Sequence, residues 1–142
     1  MNVHSPIAAF SSALAGVFFA VVAVSAWCDL LYGNPLILVQ LSAASAAWLC
    51  GMIAVVRAPI SKEGRWLTAI LFTLAAGLQC TAGAIFLKQN LTGGGPNIGA
   101  GGADLIGSVL CTLSCAVAWL ISFRSAVTRR QTAATHRPAD QG

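Results

Sequence analysis

Four uninterrupted apolar runs constrain this chain more than any other feature. Cutting the sequence at its charged residues leaves Ile7 to Cys28, Leu36 to Val56, Leu67 to Leu87 and Leu105 to Phe123, none containing Asp, Glu, Lys, Arg or His. A helix rises about 1.5 Å per residue and a bilayer's hydrocarbon core is about 30 Å thick, so roughly twenty residues make one crossing. Each run has that length. A core helix of a soluble protein would show a polar stripe, and these do not. Composition points the same way: 57% of the residues are hydrophobic and 8% are charged, against about 25% charged in an ordinary soluble domain. So few charges cannot cover a protein surface in water. The expected fold is all-α: a polytopic membrane protein with four transmembrane helices in a compact bundle. Residues 1–125 form that domain, with spans at about 7–28, 36–56, 67–87 and 105–123, and residues 126–142 form a basic, disordered cytoplasmic tail.

The first run also invites a signal-peptide reading, with the small residues before Trp27 as a cleavage site. The opening segment lacks a positive n-region, and the run exceeds the usual apolar region of about 7 to 15 residues, so a retained span is expected. Orientation follows from the flanks. With four spans, the N-terminus, the link between the second and third spans, and the tail share one side. Arg57, Lys62, Arg65, Arg124, Arg129, Arg130 and Arg137 fall there, seven of the eight basic residues, and only Lys88 falls opposite. Basic residues stay cytoplasmic, so both termini are expected in the cytoplasm and the protein in a cell inner membrane. Trp27 and Tyr32 then suit the outer interface and Trp66 the inner one. The net charge of +4 reads as orientation and contact with anionic head groups, not nucleic-acid binding.

The glycine-rich stretch from Lys88 to Asp104 raises the question of a phosphate loop. Such a loop follows a strand and carries a Lys at a set offset. Here a span precedes it, and no Lys or Arg lies between Thr92 and Phe123. It reads as an extracytoplasmic connection over Gly93 to Gly102, with Pro96 and Asn97 in a turn and Asp104 as the N-cap of the last helix. Asn90 begins a glycosylation sequon, relevant only in a eukaryotic secretory pathway.

Chemistry inside the spans is sparse. Intramembrane ionisable residues mark transport and proton relays, and the runs hold none. That counts against a proton-coupled exporter of the small multidrug type, which is similar in having four short spans but relies on a membrane-embedded glutamate. His4 and His136 lie outside the runs, which excludes a bis-histidine haem. Five cysteines, Cys28, Cys50, Cys80, Cys111 and Cys115, form no C-x-x-C pair. Cys111 and Cys115 share a helix face, Cys80 falls at a similar depth to Cys115, and three such thiols would suit a soft metal such as Cu(I). Core packing is the expected use. No cofactor is expected.

Small residues recur at four-residue intervals: Ser12, Gly16 and Ala20; Ala43, Ala47 and Gly51; and a fourth-span face beginning at Gly107. Such faces let membrane helices approach closely. Gln40 and Gln79 are the uncharged polar groups expected to face protein and bond across helices. The reading is a non-enzymatic accessory, assembly or immunity-type subunit acting through helix packing. Its partners are the lipid bilayer and another membrane protein or further copies of itself. A small transporter or pore former, including a holin-like one, is the alternative, and thiol or soft-metal handling is a third.

Overall fold

A computed structural model describes residues 6–33, 36–95 and 97–135. Its helices are α1 (Pro6–Tyr32), α2 (Ile37–Arg57), α3 (Lys62–Thr92) and α4 (Ile98–Thr135). All four are long and apolar enough to cross a membrane.

Local chemistry sets most helix ends. Helix α2 stops at Ala58 because Pro59 follows, and the residue before proline is driven to extended backbone; Ala58 has ψ 148°. The Ser61 hydroxyl caps α3 by accepting from the Gly64 amide at 3.2 Å, and Glu63 in the first turn complements the helix dipole. Gly93 closes α3 with φ 66° and donates to the Gln89 carbonyl at 2.9 Å, a left-handed position that glycine occupies without strain.

Short connections make successive helices antiparallel neighbours, and α4 packs back on α1 to close the ring. The C-terminal ends of α1 and α3 therefore share one end of the bundle with the N-terminal ends of α2 and α4. The other end holds the 58–61 link, the start of α1 and the close of α4. Between them lies a core of small side chains, Ala15, Ala43, Ala44, Ala47, Ala75 and Ala118, around the rings of Phe19 and Phe72. Those rings meet at 5.0 Å between centroids, tilted by 41°. Larger apolar side chains point outward, among them Phe10, Leu31, Leu49, Leu67 and Phe123. This inverts the usual arrangement of a water-soluble bundle, which seldom exposes broad apolar patches.

Two sequence expectations change here. The glycine-rich connection is shorter than Gly93 to Gly102, because α4 begins at Ile98. Asn97 is its cap, the side-chain oxygen accepting from the Ala100 amide at 3.2 Å; Pro96 lies outside the described residues. Asp104, expected as the cap, sits well inside α4. Low glycine propensity is overridden because Ala100 and Asp104 bury against the other helices. At the far end α4 continues through Thr135, so residues 126–135 of the expected disordered tail are helical. Arg, Gln and Ala are good helix formers, and Thr128 and Thr132 satisfy their hydroxyls on carbonyls one turn back, both at 3.0 Å. Residues 136–142, including Arg137, lie outside the described residues.

Candidate polar centre and packing sockets

Helices α2, α3 and α4 each bury one amide or carboxylate side chain in the bundle. On α2 the inward face carries Ile37, Gln40, Ala43, Ala44 and Ala47; on α3 it carries Phe72, Ala75, Ala76, Gln79 and Ala82. On α4 it carries Ala100, Asp104, Gly107, Ser108 and Cys111. Gln40 and Gln79 are 0% exposed and Asp104 is 1% exposed. Gln40 Nε2 donates to Gln79 Oε1 and to Asp104 Oδ1 at 3.0 Å. Gln79 Nε2 donates to the Asp104 carbonyl at 3.1 Å.

These contacts fix both amide orientations. Gln40 Nε2 sits between two acceptors, so the opposite flip would face oxygen against oxygen. Gln40 Oε1 therefore points elsewhere, and it is buried without a partner. A fourth group, the Asp29 carboxylate of α1, lies within electrostatic range of Asp104. Asp29 Oδ1 is also buried without a partner. The centre thus ties α2, α3 and α4 together while leaving an excess of acceptors. An interhelical hydrogen bond of the kind that joins membrane helices is worth roughly 0.6 to 2 kcal/mol, whereas a buried unmet acceptor costs about 1–3 kcal/mol. The two effects are of similar size, so the centre specifies which helices meet more than it adds stability.

Asp29 and Asp104 are the residues that sequence reasoning missed. Cutting the chain at every charge put both outside the runs. The available signal was phase: Asp104 lies in register with Ala100, Gly107 and Cys111, and Asp29 continues the inward positions Val22 and Ala26 of α1.

The small-residue faces are occupied by side chains. The position a Cβ would take on Gly51 lies 2.6 Å from the Phe72 ring, on Gly16 it lies 2.7 Å from the Trp119 indole, and on Gly107 it lies 2.8 Å from Gln79 Nε2. Each glycine is a socket for one large side chain of a neighbouring helix. Ser12, Ala43 and Ala47 are buried in the same faces, and Ala20 is half-buried. Ser12 bonds the Ala8 carbonyl at 2.8 Å, and the Ser122 hydroxyl of α4 reaches the Ala9 carbonyl of α1 at 3.3 Å.

All five cysteines are free. The Cys111 thiol donates to the Ala75 carbonyl at 3.7 Å, and Cys80 neighbours Cys111. Among the described residues no three His, Cys, Asp or Glu side chains gather in a metal-binding arrangement.

On the outer surface α2 and α3 leave a groove of about 420 Å³ lined by Ser45, Trp48, Leu49, Thr73, Ala76, Gly77 and Cys80. Trp48 Nε1 donates across it to Thr73 Oγ1 at 3.1 Å. A Cβ on Gly77 would meet nothing within 4 Å.

Fold and site together define an all-helical, four-helix bundle with four candidate membrane spans and a buried amide–carboxylate centre. No protein-family model matches the chain, and neither does any curated protein or solved structure.

Proposed function

We propose that this chain is a multi-pass protein of a cell inner membrane, with both termini cytoplasmic. It acts without catalytic apparatus, as an accessory, assembly or immunity-type subunit that pairs with another membrane helix. The observation that carries the reading is the contrast between a filled interior and an open flank. Inside, Gly16, Gly51 and Gly107 are each plugged by a large side chain of a neighbouring helix, and Gln40, Gln79 and Asp104 are closed to the outside. Outside, the α2/α3 groove keeps Gly77 uncovered between hydroxyl-bearing neighbours, the kind of surface on which membrane helices associate. Ser45 and Thr81 are already bonded to their own helices at 3.0 and 2.8 Å, so a second helix would pack there without stranding their hydroxyls.

A small transporter is the second reading, favoured by one observation: Asp104 is a buried carboxylate within a candidate span, with a second carboxylate, Asp29, in another, and such groups mark ion and proton pathways. One comparison separates the two. A photoreactive residue at Gly77 should give a discrete adduct in native membranes, while the same probe at Val24 on α1 should not. Purified protein in liposomes should carry no proton or dye flux. Flux that Asp104→Asn abolishes, together with no adduct at Gly77, would replace the subunit reading by the transporter.

A further inference from the structure

The end of the bundle that holds the 58–61 link carries a second recess, unconnected with the polar centre. It has a volume of about 520 Å³ and is lined by Pro59, Ile60, Ser61, Gly64, Thr68, Val117, Leu120, Ile121, Arg124 and Ser125. Its walls differ in chemistry. Val117, Leu120 and Ile121 make an apolar strip along α4. The first turn of α3, through Ser61 and Gly64, and the guanidinium-bearing Arg124 supply its polar wall.

Four features point to one kind of ligand. The N-terminal turn of a long helix carries the positive end of its dipole, which favours phosphate, and with the Gly64 amide held by Ser61 it is the Lys62 and Glu63 amides that remain for a ligand. Arg124 is exposed, and no ion pair involving it occurs among the described residues. Ser125, next to it in sequence, is only 6% exposed, and its hydroxyl is buried without a partner. That hydroxyl is a donor held in the wall of a recess that offers no protein acceptor for it. Finally, Arg57, Lys62, Arg65, Arg129 and Arg130 belong to the same end of the bundle, against Glu63 as the local acid. The surrounding field therefore favours an anion.

We propose that this recess binds a phosphate group and that the group belongs to an anionic phospholipid. The head group sits against Arg124, Ser125 and the start of α3, and an acyl chain runs along Val117, Leu120 and Ile121. The apolar strip decides between a lipid and a free phosphate, since a soluble anion has no use for it. Arginine suits the task because its planar fork matches phosphate oxygens two at a time. The lipid source rests on the membrane-spanning reading above, which flotation of the reconstituted full chain scores separately.

The test is native mass spectrometry of the detergent-purified full chain, titrated with phosphatidylglycerol, with phosphatidylcholine, or with inorganic phosphate. Wild-type protein should retain phosphatidylglycerol in preference to phosphatidylcholine. Arg124→Gln should weaken that retention by roughly ten-fold or more, the size expected for losing one charge-assisted contact. Ser125→Ala should weaken it less, and Arg129→Gln, farther along α4, should leave it unchanged. Arg124 is exposed, so its replacement leaves the core intact, and the melting temperature of each variant verifies this. Equal retention by wild type and Arg124→Gln overturns the site. Equal losses from Arg124→Gln and Arg129→Gln also overturn it, because they would mean diffuse charge attraction. Inorganic phosphate that displaces the lipid at similar concentration overturns the lipid assignment, since the apolar strip would then contribute nothing.

Discussion

Gly51 and Gly77 are both helical glycines, yet an added methyl group would meet opposite surroundings. At Gly51 it would lie 2.6 Å from Phe72, whose ring is 0% exposed and locked against Phe19. The ring cannot withdraw, so Gly51→Ala should destabilise the bundle by about 1–3 kcal/mol through overpacking. At Gly16 the obstacle is Trp119, which is 48% exposed and so less confined than a buried ring, and Gly16→Ala should cost less. Gly77→Ala meets open space and should stabilise by up to about 1 kcal/mol from helix propensity alone. Melting of the three variants in one detergent orders them, with Gly51→Ala lowest and Gly77→Ala highest. If Gly51→Ala melts with Gly77→Ala, Phe72 does not occupy the groove as described. The same scale explains why small-residue spacing alone was ambiguous. It shows where something can approach, but a missing side chain does not record whether a backbone or an aromatic ring fills the space.

Helix boundaries belong to the element scale, and the α3–α4 connection is where two expectations diverged. Gly93 has φ 66°, whereas the helical glycines Gly101 and Gly102 show no positive φ and would accept a Cβ with nothing within 4 Å. Replacing each by Ala should therefore act in opposite directions. Gly93→Ala should loosen the end of α3 by about 1 kcal/mol, because an L-residue is strained there. Gly101→Ala should tighten the start of α4 by a similar amount. Asn97→Ala removes the cap and should weaken the first turn of α4 by about 1 kcal/mol. Hydrogen exchange of amides 89–94 would read Gly93→Ala, with faster exchange expected, and amides 98–104 would read the other two, faster for Asn97→Ala and slower for Gly101→Ala. Unchanged protection in Asn97→Ala would mean that burial of Ala100 and Asp104, and not the cap, holds that turn.

At the scale of the whole molecule, the up-and-down ring puts the 58–61 link and the close of α4 at one end and the Gly33 and Gly93 turns at the other. In the proposed membrane the basic end faces the cytoplasm, because translocating Lys and Arg is disfavoured. Reporter fusions in the 58–61 link and after Thr135 should behave as internal, and one at Gly94 or Gly95 as external. An internal signal from Gly94 would reverse the topology. One common side for all three fusions would break the four-span arrangement itself.

Helix number and approximate helix position were legible in the sequence because they depend on one-dimensional quantities: run length, absence of charge, and proline or glycine at the breaks. Gln40 and Gln79 were legible as inward-facing for a similar reason, since an amide amid apolar neighbours has nowhere else to find a partner. The polar centre as a whole was not. Asp104 looked like a cap because its flanking glycines have poor helix propensity, and only packing of α4 against α2 and α3 repays that deficit and carries the helix back to Ile98. Asp29 looked like a boundary charge until α1 packed against α4 and buried one of its carboxylate oxygens within electrostatic range of Asp104. The recess beneath Arg124 likewise joins the first turn of α3 to the last third of α4, residues far apart in the chain. Local propensity and hydropathy are properties of neighbours in sequence, whereas a buried acceptor, a filled socket or a recess is a property of neighbours in space, and only the tertiary structure decides which those are.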